Sequence, residues 1–232
     1  MVKVNYILLI IVIIISFLFY KIKIRPLYLE YSVTSSNNYK VKSERLRKMA
    51  NKNSLVFLIG DSILESINID NDNFTNLSIG GETTNSLYNR LENYVFPESS
   101  VICCMVGIND LLFNNSTKTI QKRYENLITT FISKKVSKIF FLSILPISAN
   151  GFFVNSTIIN SKVNELNKYI SEYLQYEDYK KNIKIHFIDC HKLFLNSNKK
   201  LNEKLTYDGV HLNNNGKAIL RNIIYNVSFN KK

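Results

Sequence analysis

Cysteine is scarce in this 232-residue chain: Cys103, Cys104 and Cys190 are the only three, each inside an apolar run that reads as a strand. Nothing about them forms a disulfide framework or a Cys/His metal spacing, so buried reduced thiols are the expected form. Histidine is as rare, with His186, His191 and His211, so any imidazole base comes from a short list. Acidic residues are outnumbered, 18 against 30 Lys and Arg, for a net charge of +12. The excess is uneven: ten basic and two acidic residues fall in the first 53, which leaves only +4 for everything after them. From Ser54 onward no basic stretch with interleaved aromatics occurs. A nucleic-acid footprint is therefore not expected, and the positive excess is assigned to a membrane-proximal segment. There is no internal repeat at solenoid periods. What is abundant is apolar material, 46% of residues with 12% aromatic, which suits a packed core and excludes wholesale disorder. The length accommodates one α/β domain of about 180 residues plus an appendage.

That appendage opens the chain. Tyr6 to Tyr20 is an almost unbroken apolar run, with Lys3 before it and Lys21, Lys23 and Arg25 after it. Flanking lysines and tyrosines at both ends are what interfacial anchoring uses, although about 15 to 19 residues is short for a spanning helix. A cleaved signal peptide is the competing reading, but no small-X-small cleavage site follows. Residues 1–25 are expected to be an uncleaved single-pass anchor. The heavier positive flank lies on the C-terminal side, which would leave the domain in the cytoplasm; Lys3 and the terminal amine offset part of that bias. Residues 26–53 read as a basic stalk with a flexible Ser35-Ser36-Asn37-Asn38 stretch and a short helix from Ser43 to Asn51. Arg45, Arg47 and Lys48 there are either a solvated face or a contact to anionic headgroups.

From Ser54 to Lys232 strands and helices alternate. The expected strands are Leu55–Ile59, Phe74–Ile79, Val101–Val106, Lys138–Ser143 and Ile183–Ile188, and the expected helices Thr84–Tyr94, Thr119–Lys134, Ile158–Tyr176 and Asn214–Asn226. Such a succession predicts a parallel sheet covered by helices on both faces, because parallel neighbours need a crossover about a helix long. In such sheets ligands bind beyond the carboxyl ends of the strands.

Four strand ends or loops carry candidate chemistry. The run Leu55-Val56-Phe57-Leu58-Ile59 stops at Gly60-Asp61-Ser62, which either delivers a nucleophilic serine or starts a helix at Asp61 or Ser62, with Glu65 completing a capping box. Asn76-Leu77-Ser78-Ile79 ends in Gly80-Gly81, which permits close backbone approach and an exposed N–H. Val101 to Val106 ends in Gly107-Ile108-Asn109-Asp110, where the Asn109 amide can face a developing oxyanion and Asp110 is expected to cap the next helix. Finally, Asp208-Gly209-Val210-His211 presents an acid and an imidazole from one loop, either a base with its orienting carboxylate, a chance pairing or half a metal site. His186 and His191 have no acid so placed and read as structural or surface residues.

Together, in this order, the four blocks resemble the SGNH (GDSL-type) hydrolase family over essentially all of Ser54 to Phe229. The stretch Ile79 to Leu91 looks especially like the branch with platelet-activating-factor acetylhydrolase-like enzymes, lysophospholipases and carbohydrate acetylesterases. Ile63 stands where the family often has Leu. The resemblance implies a three-layer α/β/α sandwich with a five-stranded parallel sheet, and neither metal nor organic cofactor. It implies Ser62 as nucleophile, His211 as general base and acid, and Asp208 as its orienting carboxylate. The backbone N–H groups of Ser62 and Gly81 and the amide of Asn109 would form the oxyanion hole. Since the base works as neutral imidazole, activity should fall in acid.

The expected activity is a membrane-tethered serine esterase that removes small acyl groups, acetyl first, from a glycan or related surface polymer. That substrate favours an exported domain. Lysophospholipase or other lipid acyl hydrolase is the alternative, with Phe113, Phe152 and Phe153 available to line an acyl groove. An O-acyltransferase and a catalytically silent scaffold remain open behind these.

Overall fold

A computed structural model describes residues 2–50, 54–149, 154–181 and 184–229. Five strands form one wholly parallel sheet: β1 (Val56–Gly60), β2 (Phe74–Asn76), β3 (Val101–Met105), β4 (Lys138–Leu142) and β5 (Ile185–Ile188), in the spatial order β2-β1-β3-β4-β5. The central position of β1 explains its composition. All five of its residues are buried, so both pleat faces must be apolar. Register sets the functional end: Val56 pairs with Val101 and Gly60 with Met105, which brings the residues after β1 and after β3 to the same edge.

Helices sandwich the sheet. On one face α5 (Thr84–Leu91), α7 (Thr117–Ser133) and α8 (Ser156–Lys181) lie side by side, with Phe131 of α7 edge-on to Phe141 of β4 at 5.7 Å. On the other, α9 (Asn214–Phe229) packs Tyr225 and Phe229 against Phe74 of β2 and brings Ser228 to Cys103 of β3. The three cysteines are buried and unpaired, and burial pushes the Cys103 thiol up to about 12 and Cys190 to about 11.

Element boundaries shift from expectation for local reasons. Strand β2 stops at Asn76, although Leu77 and Ile79 still donate to Leu58 and Gly60. The Asn76 side chain breaks the pattern: its amide donates to the carbonyls of Leu64 (2.7 Å) and Ile67 (3.0 Å), and its oxygen accepts from Ser78 N. Helix α5 ends at Leu91, three residues early, whereas α7 starts at Thr117 because Ser116 caps it through Thr119 N. Helix α8 runs on to Lys181, and Ile183 lies outside the described residues.

The segment read as a stalk is a correction. It forms two helices, α2 (Arg25–Thr34) and α3 (Asn37–Met49), joined at Ser36, which caps α3 through Tyr39 N. They are held on the domain: Glu30 is buried, accepting from Thr83 Oγ1 (2.9 Å), Asn85 Nδ2 (2.8 Å) and Arg123 Nη2 (3.2 Å), while Leu46 and Ala50 join the core. Arg45, Arg47 and Lys48 stay exposed, with Arg47 paired to Glu44. Ahead of them α1 (Val2–Phe19) passes through one π-helical turn, Tyr20–Ile24, into α2. Residues 6–34 thus make one helix of 29 residues, long and apolar enough to cross a membrane, with exposed side chains from Tyr6 to Ile24.

Candidate active site

Gly60 ends β1 against the Met105 backbone, where a side chain would collide. The next two residues divide the roles left open by the sequence. Asp61 is the cap of the short helix α4 (Ser62–Glu65), accepting from Ile63 N at 3.0 Å. Glu65 makes no capping box; it reaches Lys42 of α3 instead. Ser62, the first residue of α4, is thereby left with its hydroxyl free to face the loop after the 3₁₀ turn Glu203–Leu205.

There Ser62 Oγ lies 3.0 Å from His211 Nε2, and His211 Nδ1 lies 2.6 Å from Asp208 Oδ2. With its Nδ1 proton donated to the carboxylate, the imidazole presents Nε2 as the acceptor for the serine hydroxyl. Asp208 Oδ1 accepts from the backbone N–H of Val210 (2.9 Å) and His211 (2.7 Å), so one carboxylate fixes both ends of the loop. Partial burial works to raise the Asp208 carboxyl, but these hydrogen bonds from His211 and Val210 outweigh it and hold the group below its ordinary value. Tyr207 stacks on the imidazole, with ring centroids 5.8 Å apart and planes 11° from parallel. Sequence reasoning gave Tyr207 no role; its only signal was an aromatic next to the acid.

The loop is seated from the far side of the sheet. Asn167 of α8 accepts from Ile144 N and donates to Ile144 O, and Asn160 does the same with Ile147. These two asparagines, two helical turns apart, hold the segment after β4 extended. Ser148 N and Ala149 N then donate to the Gly209 carbonyl at 2.8 and 3.2 Å. Gly209 has φ +84°, and a β-carbon there would stand 2.5 Å from Ala149 N, which is why glycine separates Asp208 from Val210.

Gly81 and Asn109 converge on the same edge. Gly81 turns with φ +79°, and a β-carbon on its neighbour Gly80 would come within 3.6 Å of Ser62 Cβ. Asn109 lies in the first turn of α6 (Ile108–Leu112) and donates from Nδ2 to the Glu82 carbonyl at 3.0 Å, tying the amide to the residue after Gly81. Asp110 does not cap α6, whose cap position is Gly107. It binds the first residue of α5 instead, accepting from Thr84 N and Thr84 Oγ1, both at 2.8 Å, with Arg123 alongside, while Thr83 is the cap of that helix.

His186 and His191 stand apart from this cluster. His186 is an exposed β5 residue against Phe140, and His191 is buried with Nδ1 2.9 Å from the Ile144 carbonyl, where burial lowers its pKa. Phe113 closes α6 as a half-buried residue, while Phe152 and Phe153 lie outside the described residues. Among the described residues no group of three or more His, Cys, Asp or Glu is arranged to hold a metal.

An imidazole held by a carboxylate can take a proton from the serine hydroxyl at Nε2 and return it to a leaving group. Comparison with known proteins agrees with that chemistry. A family model described as GDSL-like Lipase/Acylhydrolase family matches residues 58–219. Curated relatives include an N-acylneuraminate cytidylyltransferase of Streptococcus agalactiae, 25% identical over 84% of this chain, and one of Escherichia coli, 27% identical over 73%. The chain spans less than half the length of either, 44% and 39%. Similar solved structures include a Streptococcus pneumonia protein whose description refers to platelet activating factor (TM-score 0.73, 19% identity, 87% of this chain and 97% of that one). A GDSL-like lipase of Bacteroides thetaiotaomicron is close behind (TM-score 0.69, 20% identity, 82% and 97%). At such identities these structures speak to the fold.

Proposed function

Because the chain belongs to the GDSL-like lipase/acylhydrolase family of ester hydrolases, we propose that Ser62, His211 and Asp208 are its catalytic triad and that it removes small acyl groups from a glycan. The observation that carries this reading is the continuous relay from Ser62 Oγ to His211 Nε2 and from His211 Nδ1 to Asp208. Ser62 Oγ attacks the ester carbonyl as its proton passes to His211. The carbonyl oxygen, now negative, is met by the N–H groups of Ser62 and Gly81 and by the Asn109 amide. The bond to the alcohol breaks, the alcohol leaves with the proton from His211, and an acyl-enzyme remains. Water then repeats the sequence, giving its proton to His211, and releases the carboxylic acid and free Ser62.

Two observations favour a glycan over a lipid. The curated relatives bear the name of an acylated acidic sugar, and Gly81 meets Val33 at the far end of α2, 13 residues past Tyr20. The apolar helix is read as a retained anchor, since it runs unbroken into α2, whose Glu30 is bonded into the domain. A surface glycan substrate places the domain on the exported side.

The test is hydrolysis by the full chain in detergent micelles of p-nitrophenyl esters from acetyl to dodecanoyl, beside acetylated oligosaccharides. Turnover concentrated on short acyl groups and on the sugars, lost in Ser62→Ala and His211→Ala, is the expected result. Preference for long chains would transfer the reading to lipid hydrolysis, and turnover unchanged in Ser62→Ala would end it.

A further inference from the structure

The helix pair α2–α3 does more than join the apolar helix to the domain. Val33, one residue from the end of α2, leans over Gly81: its two methyl carbons lie 3.2 and 3.3 Å from where a β-carbon on that glycine would stand. Beside it opens a cavity of about 360 Å³, lined by Val33, Tyr39 and Lys42 from the helix pair and by Glu65, Ile79 and Gly80 from the domain. Gly80 is the residue whose added β-carbon would meet Ser62 Cβ, and Glu65 lies one helical turn after Ser62. The cavity therefore adjoins the serine, and five of its eight lining residues precede the domain.

We propose that this cavity is the acyl subsite of the esterase and that Val33 sets the size of acyl group it takes. The proposal rests on the reading of Ser62 as nucleophile. The assignment to the acyl side follows from the sheet order. The leaving oxygen must sit by His211 Nε2, which returns the proton to it. The His211 loop is docked through Gly209 on the segment that follows β4, on one side of β1. The cavity lies on the other side of β1, at the end of β2. An acyl group attached to Ser62 Oγ, with its leaving oxygen toward His211, extends toward β2. Lys42 and Glu65 neutralise each other at the cavity wall, and the rest of the lining, aliphatic Val33 and Ile79 with neutral Tyr39, Ser36 and Asn38, carries no charge, so the group accommodated there is uncharged.

Tight placement of Val33 is built in. Glu30, one turn earlier on α2, is fixed by Thr83, Asn85 and Arg123, and Tyr39 donates its hydroxyl to Glu82 Oε1 at 2.8 Å. The second restraint ends on the residue after Gly81 and the first on Thr83 and Asn85 just beyond it, so the wall is registered to the turn that faces the substrate. Selectivity would then belong to the segment that also carries the apolar helix.

The experiment compares Val33→Ala and Val33→Phe with the parent full chain in micelles, measuring kcat and KM separately on p-nitrophenyl acetate, butyrate and octanoate. Val33 is only half buried, so the alanine variant is decisive even if the phenylalanine variant fails to fold. Enlarging the subsite should raise the octanoate-to-acetate ratio of kcat/KM by about fivefold or more, chiefly through KM, and phenylalanine should lower it. A ratio within about twofold of the parent in Val33→Ala, with turnover still dependent on Ser62, would overturn the subsite and leave the esterase intact. Turnover that persists in Ser62→Ala would overturn both.

Discussion

Arg90 grips Glu82 with two parallel hydrogen bonds, Nε to Oε1 and Nη2 to Oε2, each 2.6 Å, and both side chains are almost completely buried. Glu82 sits directly after Gly81, and the pair's other contacts reach outward: Arg90 donates to Tyr94 Oη, Tyr94 donates to Ser43 O, and Tyr39 donates to Glu82. A fork-to-fork carboxylate pair of this kind fixes geometry as well as charge. Here it fixes the Glu82 carbonyl to which Asn109 donates.

Removing one partner leaves a buried, uncompensated carboxylate. Arg90→Ala should therefore destabilise the folded chain by about 3–5 kcal/mol. Arg90→Lys should recover little of it, since an ammonium cannot span both oxygens. Thermal unfolding followed by circular dichroism in micelles measures this; a loss below about 1 kcal/mol would show that the pair behaves like a surface bridge.

Asn109 offers two amide protons, and the Glu82 carbonyl takes one. The other is available to a transition-state oxygen, so Asn109→Ala should lower kcat by about 10²–10³ with little change in KM. A change confined to KM would place Asn109 in ground-state binding instead.

Asp208 carries its weight through His211. Asp208→Asn should lower kcat by on the order of 10³, because the imidazole loses the acceptor that selects its tautomer. The pH dependence has a definite sign. The folded Asp208 carboxyl is held below its unfolded value, so its stabilisation is present above that unfolded value and is lost as pH falls through the lower folded one. Unfolding midpoints of the parent and of Asp208→Asn between pH 3 and pH 8 measure this; equal pH dependences in the two proteins would refute it.

Much of this was legible in the sequence because it is local. Five apolar runs, each ending in small or polar residues, mark buried parallel strands, and Asp208 and His211 sit three residues apart in one loop. What escaped is what depends on distant partners. Asp110 reads as the cap of its own helix, yet the shortest route for its carboxylate is to Thr84, 26 residues away. Residues 26–53 read as a stalk because their composition is polar and basic; the burial of Glu30 becomes intelligible only once Thr83, Asn85 and Arg123 converge on it. Asn160 and Asn167 look like ordinary helix-surface residues until the segment after β4 brings unpaired backbone groups to them.

Asp61 offers a test of how far burial alone perturbs this edge. Its carboxyl is 1% exposed, caps α4 with Oδ1, and has no hydrogen-bond partner for Oδ2 among the described residues. Burial pushes it up to about 7, against the lowering effect of the Ile63 N–H and with help from Glu82 and Asp110. Between its unfolded value and about 7 the folded chain holds a proton that the unfolded chain has released, so stability falls as pH rises across that window. Asp61→Asn keeps the oxygen that caps Ile63 and removes the titration. Relative to the parent, the variant should gain about 3 kcal/mol between pH 5 and pH 8, from roughly two pK units of differential proton binding. Unfolding midpoints of the two proteins in micelles at those pH values measure the gain, and parallel pH dependences would mean that Asp61 is ionised in the folded chain throughout.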